Sequence, residues 1–225
     1  PGTDTLYIAI DTNPKIGSTY CENYALTFER ACAVVICIDG TEDSRVMVQV
    51  RYEAINSTYG EVYYALNPYY YDNRPQAASP VFRSIYMPLT LMGILPTTED
   101  DVPVGEKYET GKLRYGNANP DSGDFDSLAD YMFTENGVEI RIPWQLLNFS
   151  NPSEMMIHDD YYEHYGVENL HIDEMWVGFS FRESHEYRIP MASFALEGWG
   201  KRVTYHERLK ESYYILQAYW TGLDG

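Results

Sequence analysis

The segment "MIHDDYYEHYG", residues 156–166, gathers two histidines, three carboxylates and three tyrosines into eleven positions. Side chains of these types can ligate a metal, act as paired catalytic acids, or exchange hydrogen bonds with a polar ligand. Zinc takes His ligands at helical or hairpin spacing, as in H-E-x-x-H. Here His158 and His164 are six apart, His171 follows seven further on, and no thiolate lies near in sequence. Glycoside hydrolysis needs two carboxyl groups about 5 to 9.5 Å apart across the scissile bond. Asp159, Asp160, Glu163, Asp173 and Glu174 are candidates, although a chain with 34 acidic residues brings acids together without catalytic purpose. The plainest reading is a loop or short helix capped by Asp159 and stopped by Gly166, with Tyr161 and Tyr165 against the body and the acids in water. No G-x-S-x-G, P-loop or G-x-G-x-x-G occurs in the chain. His185 in "FRESHEYR" reads as a surface residue among charges.

A second oxygen-rich stretch is "YGNANPDSGDFDSLADY", residues 115–131. Calcium takes six to eight oxygens at about 2.3 to 2.6 Å, and Asp121, Asp124 and Asp126 are the candidate metal ligands here. The stretch is not an EF-hand: counting from Asn117, Ser122 stands where the turn glycine belongs and Leu128 where the bidentate Glu belongs. The alternative is a loop whose Asn and Asp side chains bond their own backbone.

Strands must position these residues, because alternation of period two runs through most of the chain. In "RVMVQVRYEA" one face reads Val46, Val48, Val50, Tyr52 and the other Met47, Gln49, Arg51, Glu53, the pattern of a half-buried strand. "LYIAID" turns Leu6, Ile8 and Ile10 inward, "GVEIRI" turns Val138, Ile140 and Ile142 inward, and "MWVGFSF" turns Met175, Val177, Phe179 and Phe181 inward. "ACAVVICI" is a continuous apolar run suited to a central strand, and Asp39-Gly40 in "IDGTEDSRV" suits a hairpin. The prolines of "NPYYYDNRPQAASPVF" and "LPTTEDDVPVG" mark long surface loops. Helical period is clear only in "ERLKESYYILQAYW", where Leu209, Tyr213, Leu216 and Trp220 form one stripe expected to dock on the body, with a terminal strand as the alternative. The expected class is an all-β antiparallel β-sandwich of jelly-roll type, one domain over residues 1–225, with long loops and a C-terminal helix.

Charge narrows the partners. With 34 acidic and 16 basic residues the formal charge is −18, which repels phosphate backbones and anionic lipid headgroups. Neither nucleic acid nor membrane insertion is expected, since no apolar run approaches the roughly 20 residues that span a bilayer. The start, "PGTDTLYIAI", has no basic n-region or cleavage site and enters a strand at once, so the chain reads as a piece excised from a larger protein. Cys21, Cys32 and Cys37 are too few for a disulfide framework and read as buried free thiols. Cys32 and Cys37, five apart within one strand, would face opposite sides.

Residues 137–147, "GVEIRIPWQLL", carry the most specific pattern: a strand with Glu139 and Arg141 outward ends at Pro143 and is followed by an apolar plug, Trp144 and Leu146-Leu147. This stretch resembles the strand and plug of family-9-type carbohydrate-binding modules and the related DOMON-like sandwiches. "LYIAIDTNP" is similar to the family's strand that displays an early Asp, and "FERACAVVICIDGTEDSRVMVQV" to its pair of long central strands. The likeness covers about half the chain. It departs after the plug, where some thirty residues including "HDDYYEHYG" replace a short connection, so only Asp11 and Trp144 carry over as positions of interest. The resemblance implies a non-catalytic carbohydrate-binding module of a larger bacterial surface or secreted protein, acting outside the cell or at its surface. Its partners would be a poly- or oligosaccharide and adjacent domains of the parent chain. Sugars stack on aromatic rings and bond to carboxylates, which adds Tyr69, Tyr70, Tyr71, Asp159, Asp160, Tyr161 and Tyr162 to the candidate ligand-binding residues. The alternatives are a scaffolding sandwich that packs against a catalytic domain, marked by an apolar patch near the N-terminus, and a glycoside hydrolase, marked by two converging acids with one desolvated.

Overall fold

A computed structural model describes residues 5–52, 75–88, 107–159, 168–181, 187–200 and 211–222. In chain order its first strands are β1 (Leu6–Asp11), β2 (Ser18–Cys21), β3 (Leu26–Cys32), β4 (Val34–Ile38), β5 (Arg45–Gln49), β6 (Phe82–Ser84), β7 (Tyr86–Pro88) and β8 (Lys107–Glu109). There follow β9 (Tyr131–Thr134), β10 (Gly137–Ile140), β11 (Phe149–Asn151), β12 (Met156–His158), β13 (Asn169–His171), β14 (Glu174–Ser180), β15 (Arg188–Ile189), β16 (Ala192–Ala195) and the helix α1 (Glu211–Thr221). Six strands form the main sheet in the order β16-β14-β1-β4-β5-β6, every pair antiparallel.

Alternation along these strands feeds two separate cores. Leu6 and Ile10 of β1, Val34, Ile36 and Ile38 of β4, and Val46 and Val48 of β5 meet Tyr131, Leu147, Phe149, Ile157 and Ile172 on one face. Tyr7, Ala9, Val35, Cys37 and Met47 meet Leu26, Phe28, Cys21 and Ile189 of β2, β3 and β15 on the other. The main sheet is therefore covered on both faces, which explains why the run "VVICI" is apolar at every position and buried throughout. All-β, antiparallel and sandwich-like is the class this arrangement establishes; the jelly-roll type is a finer statement than the strand order supports. The Asp39-Gly40 hairpin is present, with Gly40 at φ +59° and its carbonyl accepting from Tyr131 Oη at 2.9 Å.

Several local expectations change once the second core is seen. β5 is not half-buried: Met47 is buried and Gln49 is fully enclosed, its Nε2 donating to the carbonyls of Gln76, Ala77 and Ser79. Cys32 and Cys37 do not face opposite sides, because Ala33 interrupts the run between β3 and β4 and both side chains reach the same core as Cys21. All three cysteines are buried and none forms a disulfide; burial pushes the thiol of Cys21 up to about 11 and that of Cys32 well above its usual value, so those two stay protonated. Phe179 and Phe181 are not inward but 65% and 58% exposed, because the first core ends before it reaches this part of β14. α1 forms, yet Tyr213, Leu216 and Trp220 are all exposed rather than docked, and Leu209 lies outside the described residues.

β10 keeps its expected register, with Val138, Ile140 and Ile142 packed against the first core and Glu139 and Arg141 exposed. The strand pairing ends at Ile140, and Pro143 caps the 3-10 turn Trp144–Leu147 that follows. Leu147 and Phe149 are the buried plug, at 6% and 2% exposure, whereas Trp144 is 38% exposed.

Candidate functional site

β1 ends at Asp11, which alternation places on the second face beside the cover strand β3. Arg30 of β3 donates from Nε to Asp11 Oδ2 at 2.8 Å. Its guanidinium lies over the ring of Trp176, 4.6 Å from the centroid, and Trp176 is the register partner of Asp11 on β14. A cation stacked on an indole gains from the ring quadrupole, and the buried carboxylate fixes the guanidinium in that position. Trp176 Nε1 donates in turn to Glu174 Oε1 at 3.1 Å.

These side chains form one wall of an open pocket of about 390 Å³, with Thr12 and Pro14 after β1 and residues 171–174, from the end of β13 to the start of β14, completing it. The turn after β1 is self-bonded, since Asn13 Oδ1 accepts from Lys15 N at 2.9 Å and Asn13 O from Ile16 N at 3.4 Å. Thr12 Oγ1 donates to Leu147 O at 3.1 Å, which ties this wall to the plug. Lys15 Nζ pairs with Asp159 Oδ2 at 2.7 Å. Neither Lys15 nor Asp159 is part of the lining.

The pocket's charge is mostly negative: Asp11, Asp173 and Glu174 line it together with the guanidinium of Arg30 and with His171, whose Nδ1 lies 3.7 Å from Asp173 Oδ1. Burial pushes the Asp11 carboxyl above its ordinary 3.8, and the hydrogen bond and charge of Arg30 and the Asn13 amide pull it back only in part. Among the described residues Asp11 Oδ1 is buried and has no partner, an arrangement that a donor from solvent or ligand would satisfy. The site can hold a neutral, hydroxyl-rich or cationic group, with hydrogen bonds from a rigid guanidinium and to several carboxylates.

Of the residues singled out from sequence, Asp11 lines the pocket, as do Asp173 and Glu174, which entered as candidate acids. Trp144 does not; it packs edge-on to Phe149, with centroids 4.7 Å apart. Tyr69, Tyr70, Tyr71, Asp160, Tyr161, Tyr162 and Glu163 lie outside the described residues. Arg30 and Trp176 were missed. The available signal for Trp176 was its place in "MWVGFSF", where a large aromatic occupies the strand face opposite the apolar set.

The 115–131 stretch is a run of side-chain turns. Asn117 Oδ1 accepts from Asn119 N, Asn119 Oδ1 from Asp121 N, and Ser122 Oγ from Asp124 N. Asp126 commits Oδ1 to Leu128 N at 2.9 Å and Oδ2 to Arg114 Nε at 2.7 Å, which holds its carboxyl below the usual range. Asp121 and Asp124 are exposed. Since these bonds already order the loop, adding a chelator is expected to leave the melting temperature unchanged in calorimetry; a fall that calcium reverses would overturn that expectation.

Fold and site together define an all-β protein with an open, polar and aromatic pocket where β1 leaves its main sheet. No family model matches the chain, and neither a curated protein nor a solved structure matches it. No helix among the described residues is long and apolar enough to cross a membrane.

Proposed function

We propose that this protein is a non-catalytic carbohydrate-binding module, that it takes a sugar in the Asp11–Arg30–Trp176 pocket, and that it serves a larger surface or secreted protein. The observation that carries the reading is the guanidinium of Arg30, stacked on Trp176 and pinned by the buried Asp11 at the lip of an open pocket. Three properties of a sugar fit it. Hydroxyls donate to carboxylates and accept from a guanidinium, the apolar ring face packs on a flat π-surface, and the ligand is uncharged, which a pocket of mainly carboxylates tolerates. Arg30 is 43% exposed on its side chain, which leaves its remaining N–H donors open to a sugar hydroxyl.

A hydrolase would also use a desolvated carboxyl. Asp11, however, has Oδ2 engaged by Arg30 at 2.8 Å, so its carboxylate is committed as an acceptor and is not placed to donate a proton. A panel of soluble polysaccharides and oligosaccharides, read by titration calorimetry and by reducing-end release, tests the choice. Binding without release is expected. Release that disappears in Glu174→Gln or Asp173→Asn overturns it in favour of a glycosidase.

The scaffolding reading has an observation of its own. Phe179, the register partner of Ile8 on the N-terminal strand, and its neighbour Phe181, 6.5 Å away between centroids, form an exposed apolar pair. Silence of the whole glycan panel, with self-association or domain binding lost in Phe179→Ser, would favour that reading.

A further inference from the structure

Trp144 and Trp199 form a second aromatic surface. Their ring centroids are 6.4 Å apart at an interplanar angle of 48°, and they are 38% and 49% exposed. Both are held from behind. The edge-on contact with the buried Phe149 fixes Trp144. On either side of Trp199 the backbone is clamped to Ser153: Gly200 N donates to Ser153 O at 2.8 Å, and Gly198 lies so close that a Cβ there would sit 2.6 Å from the same oxygen. Gly200 also takes φ +64°, a conformation that glycine adopts without strain. Two indoles kept in place while facing water are poor economy for a core and good preorganisation for a ligand.

This pair is bonded to the pocket along two routes. Leu196 N donates to Asp173 O at 2.9 Å, so the chain that runs on to Trp199 starts from the pocket rim. Thr12 Oγ1 donates to Leu147 O, at the far end of the single 3-10 turn that begins with Trp144. Three residues of 3-10 helix rise about 6 Å, which keeps Trp144 and Thr12 within about 15 Å of each other by backbone geometry.

We propose that Trp144 and Trp199 are a second subsite for the same ligand, which is therefore an oligosaccharide or polysaccharide chain and not a monosaccharide. The inference rests on the pocket reading above. One sugar sits at Arg30 and Trp176, and the chain continues over Thr12 and Asp173 to lie with an apolar ring face on the two indoles. The pocket supplies orientation through polar contacts; the platform supplies affinity that grows with chain length.

The test is titration calorimetry of cello-, xylo-, manno- and malto-oligosaccharide ladders, from monosaccharide to hexasaccharide, against the full chain and its Trp199→Ala, Trp199→Phe and Trp176→Ala variants. For the ladder that binds, wild-type affinity is expected to rise about tenfold or more with length. Trp199→Ala should erase that rise and leave monosaccharide affinity unchanged, while Trp199→Phe keeps part of it. Because Trp199 is a surface residue, unchanged melting temperature and circular dichroism verify that the variants are folded. A length dependence that persists in Trp199→Ala, with binding lost in Trp176→Ala, overturns the second subsite and leaves the pocket standing. Failure of wild type to bind any ladder overturns both.

Discussion

Asp11→Asn is expected to weaken glycan binding by about tenfold or more and to leave the melting temperature at pH 7 unchanged or higher. The loss follows from removing a charged acceptor, since hydrogen bonds to charged groups contribute about 1.5 to 3 kcal/mol and 1.4 kcal/mol is a factor of ten. Asn also holds Arg30 less firmly over Trp176, because the charge-assisted bond at 2.8 Å becomes a neutral one. The stability side comes from the sign of the pKa shift. Burial raises the folded-state value of Asp11 above its ordinary 3.8, so its contribution to stability is fully present below 3.8 and is lost as pH rises through the folded value. At neutral pH the ionised form is thus a net cost that Asn does not carry, and the Arg30 left behind is 43% exposed and can solvate its charge. Calorimetry of binding and of unfolding on the same variant checks both halves. A variant that binds as wild type, or one that loses several degrees of stability, would make Asp11 a structural residue and remove it from the site.

Phe28→Ala is expected to cost about 3 to 5 kcal/mol, seen as a drop in melting temperature of about 6 to 20 °C for a chain of this size. Phe28 is wholly buried where β3 faces the main sheet, in one cluster with Cys21, Leu26, Val35 and Ile189 from several strands, so the cavity cannot close by moving a single side chain. The comparison that gives this meaning is Phe179→Ala. Phe179 is 65% exposed, and its truncation should change stability by less than about 0.5 kcal/mol. Equal costs at the two positions would mean that the second core is not a separate load of buried surface. Urea unfolding of both variants, read at matched slope, makes the measurement.

Period two and its interruptions determined the strand content. Leu6, Ile10, Val48 and Ile140 fall on the face that alternation assigns them, and Pro143 caps the 3-10 turn that follows β10, past the point where a ladder needs an amide donor. The Asp39-Gly40 hairpin and the side-chain turns of 115–131 were equally local, since each depends on residues a few positions apart. Alternation alone, however, cannot say whether the second face of a strand meets water or another layer. The polar-looking set Met47 and Gln49 is buried because β2, β3 and β15 cover that face, and Phe179 is exposed because nothing described covers its end of β14. Tertiary structure decided the candidate site for the same reason. Asp11, Arg30 and Trp176 are each unremarkable in their own segments, separated by up to 165 positions, and they meet only because β1 pairs with β14 and β3 lies across the two. The acid-rich segment 156–166 drew attention by density of chemistry, whereas the pocket was assembled by register, which no local window of sequence contains.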